Sequence, residues 1–571
     1  MTRLAFRTPV KRPFAGFAIF FAAVLAVLAG RLFHLQMVRG DFYRSMSERN
    51  HIRIISKPAP RGLIYDRNGE VLADNVPVFV VSIVPYEFDS TDAPVVAELL
   101  GMPADTLLAR IGRGSSRPYR PQRISRGLTV EEISPLAENL YRIGGVMVDV
   151  VPQRRYPCGP VFCHVIGYVG LSTESGSEEG TTAGRAGIEL GLDGILSGTP
   201  GYRREVVDAM GRKVAEFELE GGETDPVPGR TITLTIDAGL QRTAVAAISS
   251  ENTPGAAVVL DYETGEILCL ASTPVFDPQA MSEGMTRAAW DSLCSDPGRP
   301  FLSRAWGARY PPGSIFKLVT ALYLLDSDLV TPSYMPDPCY GSYRLGGNDF
   351  GCWTAHGRVN LVEALARSCD VYFYRTVQLG SLDGLAGFAR LFGLGSTVLD
   401  FLPGESPGLV PDSRMLDSLY GERGWGLGNL LNISIGQGEL LVTPLQMAVV
   451  TGIIASGGDM PGVTLVREVE PGPPPGGGLS LATEDIEAVV EGMKEAVYDR
   501  QGTLRVLSSL PFEFYGKSGT AESPAGDHAW VVGFTREPRP LAIAVVVEHG
   551  GHGGAVAAPV VSRILVPFLE E

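Results

Sequence analysis

The longest uninterrupted apolar run lies near the N-terminus, from Phe14 to Gly30 (FAGFAIFFAAVLAVLAG), and it resumes after Arg31 with Leu32, Phe33 and Leu35. That length sits at the short limit for crossing a bilayer, and an arginine at the depth of Arg31 reaches the interface by snorkelling. Arg3, Arg7, Lys11 and Arg12 all precede the run, which keeps the N-terminus cytoplasmic and the remainder outside. The expectation is a cytoplasmic segment over residues 1–12 and an uncleaved anchor over 13–35. The alternative is a signal peptide cut at Val27-Leu28-Ala29. The sequence shows no second run of this length, so one span and one large exported portion are expected.

Beyond the anchor the pattern is mixed. Val78 to Val84 reads as a strand and Val95 to Ile111 as a helix. Ser172 to Gly184 (STESGSEEGTTAG) is small, polar and acidic, and reads as a mobile loop. The breaker cluster from Gly221 to Gly229 marks a domain boundary. After it come a strand over Thr231 to Ile236 and a helix over Ala238 to Ile248. A hairpin follows, Ala256–Leu260 with Ile267–Ala271, turning at Thr264-Gly265. Two more strands fall at Ala529–Phe534 and Leu541–Val547, ahead of a final helix from Pro559. Residues 462–478 read as a surface loop. Strands at both ends of this region with helices between them predict one sheet assembled from its ends, with a helical middle.

Composition narrows the class. The 571 residues favour more than one domain, and 45% hydrophobic residues suffice for large cores. A net charge of -16 excludes a nucleic-acid partner, because phosphate binding needs a basic surface. The seven cysteines cannot all pair within one chain; Cys158 and Cys163 are close enough in sequence for a local disulfide.

The chemistry begins at Pro311-Pro312-Gly313-Ser314-Ile315-Phe316-Lys317. A turn ends there and an apolar, hence buried, helix begins. Ser314 heads it, where unpaired backbone N–H groups favour developing negative charge. Lys317 lies three residues on, on the same face. A lysine in a buried helix must be paired or have a depressed pKa, and a neutral lysine beside a serine can serve as its base. Taken alone, Ser-x-x-Lys is common by chance and reads better as a helix N-cap serine. Two further clusters change that balance. Tyr515-Gly516-Lys517-Ser518-Gly519-Thr520 precedes a strand, with a glycine that lets a ligand backbone approach and a lysine and hydroxyls suited to a carboxylate. Ser368-Cys369-Asp370 follows a helical run. A serine, a lysine and a second lysine–hydroxyl strand in this order form a serine acyltransferase pattern.

With these residues in place the chain resembles the class B penicillin-binding proteins over essentially its whole length. YPPGSIFK resembles their nucleophile motif and GKSGTAE their Lys-Thr-Gly motif, with Ser518 for Thr. Ala59-Pro60-Arg61-Gly62-Leu63-Ile64-Tyr65-Asp66-Arg67-Asn68-Gly69, His164-Val165-Ile166-Gly167-Tyr168-Val169-Gly170 and Gly187-Ile188-Glu189 resemble the family's pedestal motifs. Ile435-Gly436-Gln437-Gly438 with Thr443-Pro444 resembles a transpeptidase-domain signature. Asp370 in the second motif, where Ser-x-Asn is common, is similar to the elongation-type members. The resemblance implies a multidomain α+β protein: a single transmembrane helix, a mixed α/β pedestal (dimerisation) domain over 36–225, and a transpeptidase domain over 226–571 with a central antiparallel sheet flanked by helices.

It also implies roles. Ser314 attacks the penultimate D-Ala carbonyl of a stem pentapeptide ending in D-Ala-D-Ala, and Lys317 takes its proton. Ser368 and Asp370 relay or position protons near Lys317 and Lys517. Lys517, Ser518, Gly519 and Thr520 bind the terminal carboxylate, and the N–H groups of Ser314 and Thr520 form the oxyanion hole. β-Lactams would enter the same site. The implied setting is peptidoglycan cross-linking for elongation and cell shape on the periplasmic side of the inner membrane. A multi-span RodA-type glycosyltransferase is the implied partner, since no polymerase domain precedes the pedestal. The alternatives are a penicillin-sensing receptor, a D,D-carboxypeptidase or a β-lactamase.

Last, Cys339, Cys352, His356 and Cys369 lie between the nucleophile and the second motif, spaced Cys-x12-Cys-x3-His-x12-Cys. Three thiolates and one imidazole make a full tetrahedral set, which predicts a closed structural zinc site; the chemistry itself needs no cofactor. A Cys339–Cys352 disulfide is the rival reading.

Overall fold

The computed structural model describes residues 15–39, 52–113, 118–119, 121–125, 127–172, 182–208, 213–216, 223–474, 479 and 481–570. The basic residues ahead of the anchor, most of the loop expected at 172–184 and the end of the loop expected at 462–478 lie outside them. The chain forms two compact units: one drawn from residues 1–59, 77–151 and 199–227, the other from 60–76, 152–198 and 228–571. Both therefore take residues from the region between 36 and 225.

In the first unit the helix Ala15–Phe33 continues as a π-helical turn over His34–Val38. The stretch Phe17–Val38 has a mean hydropathy of 2.1 and none of it is buried within the protein. It is long and apolar enough to cross a membrane, and it fits a single-pass anchor. Strand Ile52–Lys57 pairs antiparallel with Gly201–Val207. Elsewhere in the unit, Val81, Ile83, Val96, Leu107, Ile133 and Leu136 form a small core. The single helix expected over Val95–Ile111 is two, Ala93–Leu99 and Ala104–Arg113. The break is at Gly101-Met102-Pro103: Gly101 is left-handed at φ 61°, and proline disfavours helical geometry in the residue before it.

The second unit is built on one antiparallel sheet of strands β1 (Gly255–Asp261), β2 (Ile267–Thr273), β3 (Tyr515–Ala521), β4 (His528–Phe534) and β5 (Leu541–Val547). Their spatial order is β2-β1-β5-β4-β3. The hairpin and the two late strands thus join as the sequence predicts, with β3 at the edge. Both faces are covered, so alternate side chains feed two cores. Val258, Val532, Ala544 and Val546 pack on the side of helix Pro444–Ala455. Val259, Val531, Ile543 and Val545 pack on the side of helices α1 (Ala238–Ser249) and α8 (Ala557–Glu570). The helices between β2 and β3 include α2 (Lys317–Asp326), α3 (Leu361–Ala366), α4 (Asp370–Thr376), α5 (Leu427–Ser434), α6 (Pro444–Ala455) and α7 (Thr483–Tyr498). The strand expected over Thr231–Ile236 shortens to Ile232–Thr233, pairing in parallel with Ile64–Tyr65.

The non-catalytic motifs meet in this unit. Glu189, fully buried, accepts from Arg61 Nε at 2.9 Å and from Arg154 Nε at 2.6 Å. Arg61 also pairs with Asp193 at 2.8 Å. Asp66 accepts from the N–H groups of Asn68 and Glu70 and from that of Ala238, the first residue of α1. A buried charge set of this kind holds only when every member is paired.

Candidate active site

The segment before α2 is a 3-10 turn over Gly313–Phe316, and the α-helix itself starts at Lys317. The expected helix start at Ser314 is therefore this tighter turn. Ser314 caps neither element: the N-cap positions belong to Pro312 and Phe316. Ser314 stays half-buried while Lys317 to Leu325 are buried throughout. The turn is fixed from below. Gly313 has φ 58° and donates its N–H to the Gly436 carbonyl at 2.8 Å; a Cβ on it would lie 2.4 Å from the Thr520 carbonyl oxygen. Gly436 is left-handed too, and a Cβ there would lie 2.1 Å from the Gly313 oxygen. Only glycine fits either place, so the nucleophile turn, the Ile435–Gly438 segment and β3 share one tightly packed junction.

Lys317 is fully buried, and its Nζ donates to the Ser368 carbonyl at 3.0 Å, Ser368 Oγ at 3.2 Å and Asp370 Oδ1 at 2.6 Å. Lys517, equally buried on β3, donates to the same Ser368 Oγ at 2.9 Å and to the Ser518 carbonyl at 2.9 Å. One hydroxyl therefore bridges two lysines. Ser368 holds this position with φ 54°, a left-handed conformation that costs a non-glycine residue about 1–2 kcal/mol. Asp370 opens α4, which follows α3 with its Asn360–Glu363 capping box.

Burial, reinforced by the Lys317 charge, holds Lys517 well below the ordinary lysine range, against the pull of Asp370. Burial likewise pushes Asp370 above the ordinary carboxyl range; the Lys317 charge opposes this without cancelling it. On the open side, Ser518 Oγ lies 2.8 Å from Thr503 Oγ1. Thr520 Oγ1 lies 3.5 Å from His552 Nδ1, and the Thr520 carbonyl accepts from Gln437 Nε2 at 3.4 Å. Ser314, Lys317, Ser368, Asp370, Lys517, Ser518, Gly519 and Thr520 thus lie on three segments that meet at the head of α2. Thr503 and His552 were not singled out in the sequence, and Gln437 stood only as part of a signature. Thr503 carries no local signal, whereas Glu548-His549-Gly550-Gly551-His552 is a polar, glycine-rich stretch directly after a buried strand.

The second cluster lies behind Ser368. The ligand atoms of Cys339, Cys352, His356 and Cys369 all fall within 4.8 Å of one another. His356 Nδ1 faces Cys352 Sγ at 3.4 Å and Cys339 Sγ at 3.8 Å. All seven cysteines are free thiols, so neither Cys339–Cys352 nor Cys158–Cys163 is bridged. Cys163 instead accepts from the Phe276 N–H, and Cys158 sits between Glu70 and Arg242. Cys369 hydrogen-bonds Cys352, drawing that thiol well below its ordinary range, while Cys369 is driven up. Cys352 Sγ also accepts the Asp370 N–H at 3.3 Å. A compact set of three sulfurs and one imidazole nitrogen fits a tetrahedral soft-metal site.

Residues 255–566 match the penicillin binding protein transpeptidase domain family, and residues 56–234 the penicillin-binding protein dimerisation domain family. The chain is 33% identical to the peptidoglycan D,D-transpeptidase MrdA of Acinetobacter baumannii, over 96% of this chain and 86% of that protein. Among solved structures, the penicillin-binding protein PBP2 of Helicobacter pylori in complex with MreC matches with a TM-score of 0.80 at 27% identity, covering 91% of this chain and 99% of that one. A peptidoglycan synthase complex that coordinates polymerization and crosslinking contains a chain matching with a TM-score of 0.72 at 29% identity, over 98% of each.

Proposed function

The chain belongs to the penicillin-binding proteins with dimerisation and transpeptidase domains, and from that premise we propose how its own residues carry the reaction. It is a peptidoglycan D,D-transpeptidase that cross-links stem peptides during wall elongation. Lys317 first passes its own proton through Ser368 Oγ to Lys517, and then takes the hydroxyl proton as Ser314 Oγ adds to the carbonyl carbon of the penultimate D-Ala. The N–H groups of Ser314 and Thr520 stabilise the oxyanion. The C–N bond breaks, the departing D-Ala amine collects a proton relayed through Ser368 and the two lysines, and a Ser314 ester remains. An amine of a neighbouring stem then attacks the ester, and Ser314 Oγ regains its proton. Lys517, Ser518, Gly519 and Thr520 hold the donor's terminal carboxylate; a β-lactam carboxylate takes the same place. Ser368, shared by Lys317 and Lys517 at 3.2 and 2.9 Å, is the observation that carries this reading. A lysine with no counter-charge of its own, placed beside a lysine–carboxylate pair, makes a short proton relay. Mass spectrometry of the penicillin-treated protein, with Ser314→Ala as control, tests it.

Four further assignments complete the reading. Residues 36–225 form the pedestal and 226–571 the transpeptidase domain. The anchor keeps the N-terminus cytoplasmic and the catalytic body on the outer, periplasmic face, as the basic residues before it support. A RodA-type glycosyltransferase supplies the glycan strands, in keeping with the synthase complex whose chain this one resembles. Zinc bound by Cys339, Cys352, His356 and Cys369 ties the segment 339–356 to the start of α4. It would supply fixation of Ser368 and Asp370 and no step of the chemistry.

A further inference from the structure

Two side chains with no part in the reaction just described close on Thr520. From one direction Gln437 Nε2 donates to its carbonyl oxygen at 3.4 Å. From another His552 Nδ1 stands 3.5 Å from its hydroxyl oxygen. Gln437 is held within the fold, whereas His552 is itself exposed and is held in place by the loop that carries it. Gln437 is half-buried, its own N–H bonded to the Asn432 carbonyl at 2.9 Å, and it follows the glycine wedged against Gly313. His552 sits in the loop between β5 and α8. That loop is pinned by the Gly551 N–H on the Asp527 carbonyl at 2.9 Å, and the Ala555 and Val556 N–H groups close on the His552 carbonyl.

We infer that Gln437 and His552 are positioning residues that hold Thr520 at both its polar ends, in the orientation that receives the donor's carboxylate. The inference rests on the reading of Thr520 as a carboxylate ligand. A threonine hydroxyl has one proton and rotates freely. In the tautomer that carries its proton on Nδ1, His552 donates to Oγ1, which leaves the threonine proton free to go to a carboxylate, and the two hydrogen bonds polarise one another. The Gln437 amide acts on the backbone instead. Thr520 sits on an edge strand, and its N–H serves the oxyanion only if the peptide keeps its tilt. The carbonyl lies in the next peptide unit, Thr520–Ala521, so losing its donor reaches the N–H only through the shared Cα, by freeing rotation of the backbone at Thr520. The two residues therefore act on different stages: His552 on binding of the carboxylate, Gln437 on the rate of acylation.

The test is the kinetics of penicillin acylation of the full-length protein, separating the dissociation constant of the reversible complex from the maximal acylation rate. His552→Ala should weaken binding by roughly 3- to 10-fold, as for one lost hydrogen bond, and leave the maximal rate unchanged. His552→Asn, which can place a donor where Nδ1 lies, should restore it. In a Thr520→Val background His552→Ala should cost nothing more, since the hydroxyl is gone. Gln437→Met keeps the shape and removes the donor. It should lower the maximal rate by roughly the same factor, with or without the Thr520 hydroxyl. Unchanged constants in both single variants, with Ser314 still acylated, would overturn the inference alone, as would an equal His552→Ala penalty in both backgrounds. No adduct on Ser314 in the wild-type protein would overturn the underlying reading as well.

Discussion

Lys517 Nζ and Ser368 Oγ lie 2.9 Å apart although 149 positions separate them in sequence. This contact joins the edge strand of the sheet to the turn that opens α4, and it places a lysine with a lowered pKa beside one paired with a carboxylate.

Ser368 combines a needed hydroxyl with a left-handed backbone, so its two properties separate by substitution. Ser368→Ala and Ser368→Gly should both lower acylation by about 100-fold or more, on the scale of a lost general acid–base group. Glycine relieves the backbone and alanine does not, so Ser368→Gly should be the more stable of the two by about 1 kcal/mol. Equal melting temperatures for the two variants would contradict the strain.

Lys517 makes stability depend on pH. Its proton is lost in the folded state at a pH where the unfolded chain, with its ordinary value near 10.5, still holds it. In the window between those two values the unfolded state binds more protons, so this residue's cost falls as pH rises. Lys517→Met should abolish acylation while raising the melting temperature, and the gain should shrink as pH is taken up through that window. A gain that grows with pH would have the wrong sign.

Glu189 lies buried between Arg61 and Arg154. Glu189→Ala leaves two buried guanidinium groups facing each other, at a cost of about 3–5 kcal/mol. Chemical denaturation measures this. A loss under about 1 kcal/mol would mean that water reaches the network.

Cys339, Cys352, His356 and Cys369 should carry about one zinc per chain by the four-ligand count, measured by elemental analysis on protein purified without a histidine tag. Cys352→Ser should remove the metal, lower the melting temperature and slow acylation together through Ser368 and Asp370. Full acylation in a metal-free Cys352→Ser protein would separate the cluster from the site.

Much of this was legible in the chain. The hairpin Gly255–Thr273 and the strands at His528 and Leu541 were visible as buried runs of the right length with turn residues between. The three active-site segments were legible as motifs because each carries its chemistry within a few residues. Three things were not. The split of Val95–Ile111 depends on Gly101 and Pro103 outweighing an apolar period. The 3-10 turn before Lys317 follows from a glycine forced left-handed by contacts with Gly436 and Thr520, which no local pattern reveals. The partners of Thr520 and Ser518 come from distant loops: Gln437, His552 and Thr503 meet β3 only through the tertiary fold.

The most direct measurement is the site of covalent penicillin addition, read by intact-mass and peptide mass spectrometry. The wild-type protein should gain one penicillin on the peptide containing Ser314. Ser314→Ala should gain none and melt at the wild-type temperature, and Lys317→Ala should react at least about 100-fold more slowly. A penicillin adduct that persists in Ser314→Ala, or that maps to any other residue in the wild-type protein, would contradict the account.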